Sequence, residues 1–372
     1  GLYLPYTKEL KKVVNIPVIV AGKLGIPEDA EKALEDGQAD MIGLGRPLLT
    51  DPYWPKKVLS GKYEEIRPCI GCHTGCLGRG FECKPLSCAV NPACGRERYY
   101  EIKPTLVPKN VMVVGGGVAG MEAARIAKMR GHNVTVYEAS NALGGVIIPG
   151  SVPDFKLDDR RLISWYRNEM KRLNINVALN TKVTEELVDK EKPDIVIIAT
   201  GAKEIKLSLP GIEKDKVASA VELLNGTKKA GKNVLMVGGG LVGCETALYL
   251  AQSGKNVTIV EAKENILSTG KPVPHMNKIM LIDLLKKYNV KVITNNSLLS
   301  VTDEGAVLID NKFKQQNVQA DTVAIAVGFK SNNELYNKLH GKVTDLYLIG
   351  DAYQAANIMD AIWSGNEVGL NC

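Results

Sequence analysis

The sequence KNVMVVGGGVAGMEAA at 109–124 decides the fold, because KNVLMVGGGLVGCETA at 232–247 repeats it closely. A second pair, GHNVTVYEA at 131–139 and GKNVTIVEA at 254–262, keeps the same offset of 123 residues. Each copy predicts an apolar strand, a glycine-rich turn, a helix and a second strand that ends in Glu. The chain therefore contains two copies of one βαβ unit.

Both turns have the spacing G-x-G-x-x-G, which suits a dinucleotide. The first glycine permits a tight turn, the second lets the backbone approach a pyrophosphate, and the third lets the helix pack on the strand. The N-terminus of the helix then offers free N–H groups to the phosphates. The first copy supplies Gly115, Gly117, Gly120 and Glu138. The second copy supplies Gly238, Gly240, Gly243 and Glu261.

The two glutamates predict which nucleotide is bound. Each lies 23 residues after the first glycine of its motif, close to the ~20 expected of an acid that binds a ribose 2′-hydroxyl. A 2′-phosphate would meet the negative charge of Glu261, so the second copy should prefer NADH to NADPH. Glycine turns that bind nothing are the alternative, and the strand, helix and acid in place twice argue against it.

Six of the eight cysteines fall in RPCIGCHTGCLGRGFECKPLSCAVNPACG at 67–95. Cys69, Cys72 and Cys76 are close together and Cys88 follows after eleven residues, whereas Cys83 and Cys94 are extra. Zinc ribbons usually have paired C-x2-C knuckles, and this stretch has one C-x2-C. The spacing favours a [4Fe–4S] cluster. A zinc site and disulfides remain as alternatives.

Two other residues could be read as functional and are interpreted as structural. His73 lies among the candidate ligands, but iron–sulfur clusters favour thiolates, so we expect a loop residue. Cys244 lies just inside the second glycine helix, and a single cysteine there usually packs as a small apolar residue. Neither dinucleotide unit contains a C-x-x-C or C-x4-C dithiol, so direct disulfide chemistry is not expected.

The first 60 residues predict a short α/β segment. KELKKVV at 8–14 predicts a helix and PEDAEKALEDG at 27–37 a second one. PVIVAG at 17–22 and ADMIGLGRP at 39–47 predict two buried parallel strands. Two strands cannot bury a parallel sheet on both faces, so this segment should belong to a larger domain.

Composition excludes several classes of function. The net charge is +6, the charged residues are dispersed and aromatic residues make up 5% of the chain, which argues against a nucleic-acid surface. No apolar run approaches the ~20 residues that span a membrane, and no signal peptide is visible. We therefore expect a cytoplasmic protein, where structural disulfides are rare. The sequence leaves a homo-oligomer open.

Residues 107–372 resemble the two-dinucleotide-fold flavoproteins, the superfamily of glutathione and thioredoxin reductases. The resemblance rests on NALGGVIIPG at 141–150, DIVIIATGA at 194–202 and DLYLIGDAYQAANIMDAI at 345–362. It implies FAD in the first copy, an inserted NADH domain after the ATG turn and a return to the FAD domain at the GD motif. The further FAD contacts it implies are Gly144, Gly145, Ala199, Gly201, Asp351 and Ala352. We also expect Asp351 to be the N-cap of the following helix.

The order ADMIGLGRPLLTDP, RPCIGCHTGCL, SCAVNPACGRE and VMVVGGGVAG resembles a more specific family. This is the 2-enoate reductase, 2,4-dienoyl-CoA reductase and trimethylamine dehydrogenase family, related to the old yellow enzymes. Its pattern C-x2-C-x3-C-x11-C implies that Cys69, Cys72, Cys76 and Cys88 hold a [4Fe–4S] cluster. The glycines and arginine after the two early strands are then implied contacts of the FMN phosphate. These are Gly22, Gly45 and Arg46.

The resemblance also implies a division of the chain. Residues 1–60 correspond to the last two β/α units of an FMN-binding TIM barrel, and 61–106 to the cluster segment. Residues 107–202 with 331–372 form the FAD domain, and 203–330 the NADH domain. The other barrel units, with the catalytic and substrate-binding residues, lie outside this chain. We therefore expect a protein roughly 300 residues longer, because a complete barrel needs ~250 residues.

The expected function is reduction of an activated C=C bond in a small 2-enoate or enoyl-type substrate. Electrons would pass from NADH to FAD, to the cluster and to FMN. One alternative is an NADH dehydrogenase module that donates electrons to an external carrier. A second alternative is a non-catalytic assembly subunit with vestigial nucleotide folds.

Overall fold

The computed structural model describes residues 1–372. The N-terminal segment contains α1 (Leu4–Leu10), β1 (Ile19–Ala21), α2 (Pro27–Glu35), β2 (Met41–Gly43), α3 (Arg46–Thr50) and α4 (Trp54–Leu59). β1 and β2 pair in parallel, with Ile19 opposite Met41. Helix α2 begins at Pro27 and is followed by Gly37 in a left-handed conformation, as its sequence predicts.

Two predictions for this segment are wrong in detail. The strands are parallel, but they are not buried on both faces, because Ile19 is 61% exposed and Met41 45% exposed while Val20 is buried. β1 and β2 form a sheet of their own, and the face that carries Ile19 and Met41 is not covered by another layer, which leaves alternate side chains exposed. The first helix starts four residues before KELKKVV and ends at Leu10, so Val13 lies outside it and is exposed.

The cysteine segment, 61–106, has little regular structure. It contains a 3-10 helix at Tyr63–Glu65 and the short helix α5 (Leu77–Phe81). Ile70 and Cys88 pack against the core that follows, and Val90 is part of that core. The segment is therefore fixed to the first dinucleotide unit by apolar contacts.

The first dinucleotide unit begins after this segment. Its first elements are β3 (Asn110–Val114), α6 (Val118–Met129), β4 (Asn133–Tyr137), α7 (Ile147–Gly150), a 3-10 helix (Asp154–Lys156), α8 (Leu157–Arg172), β5 (Asn176–Ala178), α9 (Glu185–Glu191) and β6 (Ile195–Ile198). All four residues of β6 are buried, as the run DIVII predicts. The chain then leaves the unit through β7 (Ala202–Glu204).

The second dinucleotide unit is inserted at this point. It contains β8 (Val217–Ser219), α10 (Ala220–Asn225), β9 (Asn233–Val237), α11 (Leu241–Gln252), β10 (Asn256–Val260), α12 (His275–Lys287), β11 (Lys291–Ile293), β12 (Asn296–Val301), β13 (Gly305–Asp310), β14 (Gln315–Gln319) and β15 (Thr322–Ile325). Its parallel sheet has the order β11-β10-β9-β15-β8, and β12-β13-β14 form an antiparallel sheet.

The chain returns to the first unit through β16 (Phe329–Ser331), which pairs antiparallel with β7. The last elements are α13 (Glu334–Leu339), β17 (Asp345–Leu348), a 3-10 helix (Gly350–Ala352) and α14 (Ile358–Asn371). β17 completes a five-stranded parallel sheet of order β17-β6-β3-β4-β5. The resemblance to the two-dinucleotide-fold superfamily predicts this insertion and return.

The two βαβ copies are equivalent element by element. Strands, helices and turns of the first copy recur 123 residues later with the same bounds, so β3 corresponds to β9, α6 to α11 and β4 to β10. Gly115 and Gly238 have φ of 111° and 109°, a region that favours glycine. A Cβ on Gly120 or Gly243 would lie 2.0 Å from the carbonyl oxygen of the first glycine of the same motif. The third glycine therefore permits close packing of helix on strand.

Candidate functional site

A large cavity of about 1270 Å³ lies along the first glycine turn, at the carboxyl ends of the parallel strands. Eight of the ten residues predicted to contact FAD line it, namely Gly115, Gly117, Glu138, Gly144, Gly145, Ala199, Gly201 and Asp351. The other two lie behind this surface. Gly120 packs on the backbone of Gly115, and Ala352 is fully buried.

The N-terminus of α6 faces this cavity without a side-chain cap. Its N-cap is Gly117, which has no side chain to accept a hydrogen bond from the first turn. The first intrahelical bond runs from the Met121 N–H to the Gly117 carbonyl, so the N–H groups before Met121 have no helical partner. Such groups suit a pyrophosphate.

Glu138 closes the turn from the strand beside it. One carboxylate oxygen accepts the Gly116 N–H at 2.7 Å and the other accepts the Ser140 N–H at 2.8 Å. Each oxygen keeps further lone-pair capacity. These bonds fix the carboxylate at the mouth of the turn, where a ribose hydroxyl could donate to it.

Asp351 differs from its sequence interpretation in one respect. It lines the cavity, but it is not the N-cap of α14; that position belongs to Asn357, whose side chain accepts the Asp360 N–H at 3.0 Å. Asp351 lies in the preceding 3-10 helix and accepts the Ala356 N–H at 3.1 Å. Burial raises the pKa of its carboxyl.

Sequence reasoning missed several residues of the large cavity. They include Thr181, Lys182, Val183, Asn332 and Leu335. The first three follow β5 and the last two follow β16, so their position depends on the sheet order and on the return of the chain. No local motif marks these positions.

The second glycine turn is more closed than the first. The Glu261 carboxylate is buried, and its oxygens accept the Gly239 and Lys263 N–H groups at 2.7 and 2.9 Å. The Leu267 N–H donates to the Gly239 carbonyl at 2.7 Å, as the Gly144 N–H does to Gly116 in the first copy. Leu267 thus occupies the place of Gly144, and its buried side chain belongs to the core.

The predicted NADH residues lie around this turn. Gly238 and Gly243 pack closely, and Gly240 is the uncapped N-cap of α11. A cavity of about 300 Å³ lies nearby, at the carboxyl ends of β8 and β15, and is lined by Val242 and Gly328 among others. None of the four predicted NADH residues lines this cavity. They meet at the glycine turn, where the uncapped end of α11 suits a pyrophosphate.

A third cavity, of about 310 Å³, is lined by Cys69, Cys72, Cys76 and Cys88. We call it the cysteine cavity. All four predicted ligands line this cavity. Cys83 is exposed and Cys94 is buried elsewhere, and neither lines it. Other parts of its wall come from the N-terminal segment, through Arg46, Leu49 and Thr50.

The cysteine cavity gathers four thiols, a donor set that suits an iron–sulfur cluster or a zinc ion. No three His, Cys, Asp or Glu side chains converge closely enough to hold a metal ion directly, so the cavity is not a preformed metal site. Burial raises the pKa of Cys69, and it raises the pKa of Cys72 to about 11. Positive charge from bound iron would be required to keep these buried thiols as thiolates.

A hydrogen-bonded chain crosses the wall of the cysteine cavity. The Arg46 guanidinium lies 2.6 Å from His73 Nε2, and His73 Nδ1 lies 2.6 Å from Asn277 Oδ1. Arginine can only donate, so Nε2 accepts and Nδ1 carries the proton that is donated to Asn277. Burial and the Arg46 charge lower the pKa of His73, in agreement with a neutral ring. Both ring nitrogens are therefore engaged by protein, as expected of a loop residue.

The three predicted FMN contacts lie apart from the large cavity. Gly22 follows β1 with φ of 129°, and Gly45 is the N-cap of α3. Arg46 turns toward His73 and the cysteine cavity. Sequence reasoning did not anticipate this contact, since 27 residues separate Arg46 from His73.

A partly buried ionic group joins the two dinucleotide units. Lys156 Nζ lies 2.6 Å from Glu245 Oε1 and 3.9 Å from Asp159 Oδ2. Burial works against the charge of Lys156, but Glu245 outweighs it and raises the lysine pKa. Burial raises the pKa of Asp159 to about 6. No sequence motif marks this group, because Lys156, just before α8, and Glu245 of α11 meet only in the folded chain.

Residues 109–365 match the family described as Pyridine nucleotide-disulphide oxidoreductase, which is more than half of the chain. The chain belongs to the pyridine nucleotide-disulphide oxidoreductase family. Residues 4–65 match a second family, NADH:flavin oxidoreductase / NADH oxidase. The combination agrees with the resemblance drawn from the motifs.

Two curated relatives match nearly the whole chain. Cinnamate reductase of Clostridium sporogenes is 47% identical over 371 residues, covering 100% of this chain and 55% of that protein. NADH oxidase of Thermoanaerobacter brockii is 39% identical over 368 residues, covering 97% and 56%. The chain thus spans about half the length of these relatives.

A solved structure gives the same fold. A complex of 2-naphthoyl-CoA reductase with 2-naphthoyl-CoA aligns with a TM-score of 0.95 at 33% identity, covering 100% of this chain and 56% of that one. The predicted architecture is confirmed: an NADH:flavin oxidoreductase segment precedes two dinucleotide-binding units.

The family name mentions disulphide chemistry, yet the matched residues contain one cysteine, Cys244. Its thiol is fully buried and lies 3.4 Å from the Gly239 carbonyl oxygen. Burial raises its pKa to about 12. Cys244 therefore packs beneath the second glycine turn, as its sequence context predicts. None of the helices combines the length and apolar character that crossing a membrane requires.

Proposed function

We propose that this chain is the electron-input half of an NADH-dependent flavin and iron–sulfur oxidoreductase that reduces an activated C=C bond. One observation carries the proposal. The cysteine cavity takes part of its wall from Arg46 and Thr50 of the N-terminal segment, while Cys88 and Ile70 pack on the core of the first dinucleotide unit. Four partly buried thiols thus lie between the two units that the family resemblance assigns to different flavins.

The residues for each group are proposed as follows. The first glycine turn with Glu138 and Asp351 would hold FAD, and the second turn with Glu261 would hold NADH. Cys69, Cys72, Cys76 and Cys88 would hold a [4Fe–4S] cluster, and Gly22, Gly45 and Arg46 would contact the FMN phosphate.

The chemistry then belongs to the cofactors. When bound, FAD at the first turn would supply exchange between the hydride of NADH and single electrons, a cluster on the four cysteines would supply one-electron transfer, and FMN would supply a hydride for the β-carbon while a proton completes the α-carbon. The protein partly shields the thiols from solvent, fixes the Glu138 carboxylate at its turn and holds Arg46 through neutral His73. The cinnamate reductase relative supports a 2-enoate substrate by its name.

The domain division is part of the proposal. We propose the barrel end at 1–60, the cluster segment at 61–106, the FAD domain at 107–202 with 331–372, and the NADH domain at 203–330. We further propose a cytoplasmic enzyme with a small-molecule partner.

The test is an anaerobic assay of iron, acid-labile sulfide, FAD and FMN in the full-length protein. We expect about four iron and four sulfide per chain with one FAD and one FMN, and NADH-dependent reduction of cinnamate. Zinc without sulfide would overturn the cluster. A full cofactor set with no turnover of any enoate would overturn the substrate class.

A second candidate is an NADH dehydrogenase that passes electrons to an external carrier. The NADH oxidase relative favours it, because the name of that protein states oxidation of NADH and no unsaturated substrate. Fast NADH-dependent reduction of a dye or of oxygen, with no reduction of enoates, would support this candidate.

A further inference from the structure

One helix touches both the large cavity and the cysteine segment. Ala361, in the first turn of α14, lines the large cavity. Two residues later, Trp363 donates its indole Nε1–H to the main-chain carbonyl of Cys88 at 3.0 Å. The path from the cavity wall to this cysteine therefore consists of two peptide units, one side chain and one hydrogen bond.

The Trp363 ring is held on its other side. The Arg96 guanidinium carbon lies 4.2 Å from the Trp363 ring centroid and 4.5 Å from that of Tyr100. Arg96 also donates to the Pro92 carbonyl at 3.0 Å. A cation above an aromatic face stabilises this arrangement, so the indole is fixed between α14 and the end of the cysteine segment.

Helix α14 is itself fixed to α6, the helix of the first glycine motif. A Cβ on Gly365 would lie 2.3 Å from the Ala119 carbonyl oxygen, so the two helices pack in close contact. Asn366 donates to the buried Glu122 carboxylate at 2.9 Å. Because α14 is packed this closely on α6, the position of Trp363 is fixed relative to the large cavity.

Cys88 depends on such contacts more than the other three cysteines. Cys69, Cys72 and Cys76 lie within eight residues of one another, whereas eleven residues separate Cys76 from Cys88. A local turn can position the first three, but the fourth must be placed by tertiary contacts. The Trp363 hydrogen bond to its carbonyl is such a contact.

We infer that Trp363 is a positioning residue that ties the cluster ligand Cys88 to the helix lining the FAD site. The inference rests on the proposed function, since it assigns Trp363 a role toward the proposed cluster. Loss of the indole N–H would let the Cys88 main chain move relative to the flavin site. The electronic properties of the cluster and its coupling to FAD should then change, while the FAD and NADH sites stay intact.

The test compares Trp363→Phe with the wild-type holoprotein. We expect unchanged iron, sulfide and FAD contents and an unchanged rate of FAD reduction by NADH. We expect a shifted EPR spectrum and midpoint potential of the reduced cluster, and a several-fold slower transfer of electrons from FAD to the cluster. The matched control is Trp54→Phe, because Trp54 donates its indole N–H to Gly25 in the N-terminal segment at 2.9 Å.

The outcomes separate the two proposals. Absence of an iron–sulfur signal in the wild-type protein would overturn the proposed function. A normal wild-type signal, with an identical spectrum, potential and transfer rate in Trp363→Phe, would overturn this inference alone. Loss of iron in proportion to loss of rate would reduce Trp363 to a structural role and also overturn it. If Trp363→Phe does not fold, Arg96→Met frees the ring and should shift the spectrum in the same direction.

Discussion

Thr50 brings a hydroxyl group to a proposed cluster ligand. Its Oγ1 lies 3.6 Å from Cys88 Sγ and 3.0 Å from the Arg46 carbonyl, in a buried position. Hydrogen bonds to ligand sulfurs contribute to the reduction potential of iron–sulfur clusters. The Thr50 hydroxyl has one proton for the Arg46 carbonyl and the Cys88 sulfur, and a metal-bound thiolate can only accept it. A proton donated to the thiolate stabilises the more negative reduced state, so its removal should lower the potential.

We therefore predict that Thr50→Val lowers the midpoint potential of the cluster with iron and sulfide contents unchanged. An EPR-monitored redox titration measures this shift. Thr105→Val is the control, because the Thr105 hydroxyl is exposed and bonds only to Val107 nearby. An equal potential in Thr50→Val and wild type would show that the hydroxyl serves the Arg46 carbonyl instead.

Asp159 predicts a pH dependence of stability. Burial raises its folded-state pKa from 3.8 to about 6, so the folded state binds the proton more tightly than the unfolded state. Its contribution to stability is fully present below about pH 4 and is lost as the pH rises to about 6. The loss should amount to about 2–3 kcal/mol, since each pKa unit corresponds to ~1.4 kcal/mol.

The Asp159→Asn variant should lack this dependence. The melting temperature of the variant minus that of the wild type should therefore increase as the pH rises from 4.5 to 6.5, because the wild type loses the Asp159 contribution over this range. Asp154→Asn is the control, because Asp154 pairs with Arg160 at an exposed position and does not contribute to the shift of Asp159. Parallel melting curves for Asp159→Asn and wild type across this range would contradict the prediction.

Individual residues were predictable where their role is local. The glycines and glutamates of the two motifs were predictable because each belongs to a turn whose residue spacing can be recognised in the sequence. His73, Arg46 and Asn277 could not be grouped, since 204 residues separate His73 from Asn277. Their chemistry arises from the packing of α12 against the cysteine segment.

At the scale of elements, the two βαβ copies allow a matched experiment. A Cβ at the third glycine would lie 2.0 Å from a carbonyl oxygen in both copies, and overpacking of this kind costs about 1–3 kcal/mol. We predict that Gly120→Ala loses FAD, whereas Gly243→Ala retains FAD and loses reduction by NADH. Flavin absorbance after purification and anaerobic mixing with NADH measure the two effects.

Gly80→Ala is the control for both variants. It lies in α5, and a Cβ there meets no atom within 4 Å. It should behave as wild type. Loss of FAD from Gly243→Ala as well would mean that the two units do not fold independently.

Element predictions failed where burial depends on neighbours outside the element. The run PVIVAG predicts a strand correctly, but a strand of this composition is buried on both faces only when layers pack on both sides of its sheet. The antiparallel sheet β12-β13-β14 was not predicted, because NSLLSV and QQNVQ carry no strong alternation. Short strands of mixed polarity need their partners to be recognised.

At the scale of the whole molecule, Lys156 and Glu245 couple the two dinucleotide units. Their side chains are 25% and 23% exposed, so the pair is partly shielded from solvent. Breaking a buried pair costs more than breaking an exposed one, since it leaves a charge unpaired. The pair should therefore help to hold the second dinucleotide unit in its orientation against the first.

We predict that Glu245→Gln slows the reduction of FAD at saturating NADH, measured by stopped-flow absorbance. Lys271→Met is the matched control. Lys271 also pairs across the units, with Asp360 at 3.3 Å, but both side chains are nearly half exposed, and such pairs contribute little. Equal rates in wild type and Glu245→Gln would show that other contacts set the orientation.

The connection between the units has a practical consequence. The chain leaves the first unit after Ala202 and returns to it at Ser331. These two residues are opposite each other in one antiparallel pair of strands. Both ends of the insertion thus meet at a single two-stranded stem, so the unit can be excised or exchanged by rejoining the chain there. A grafted unit that prefers NADPH should change the electron donor and leave the proposed flavin and cysteine sites unchanged. The graft must also supply an amide in place of Asn277, which contacts His73.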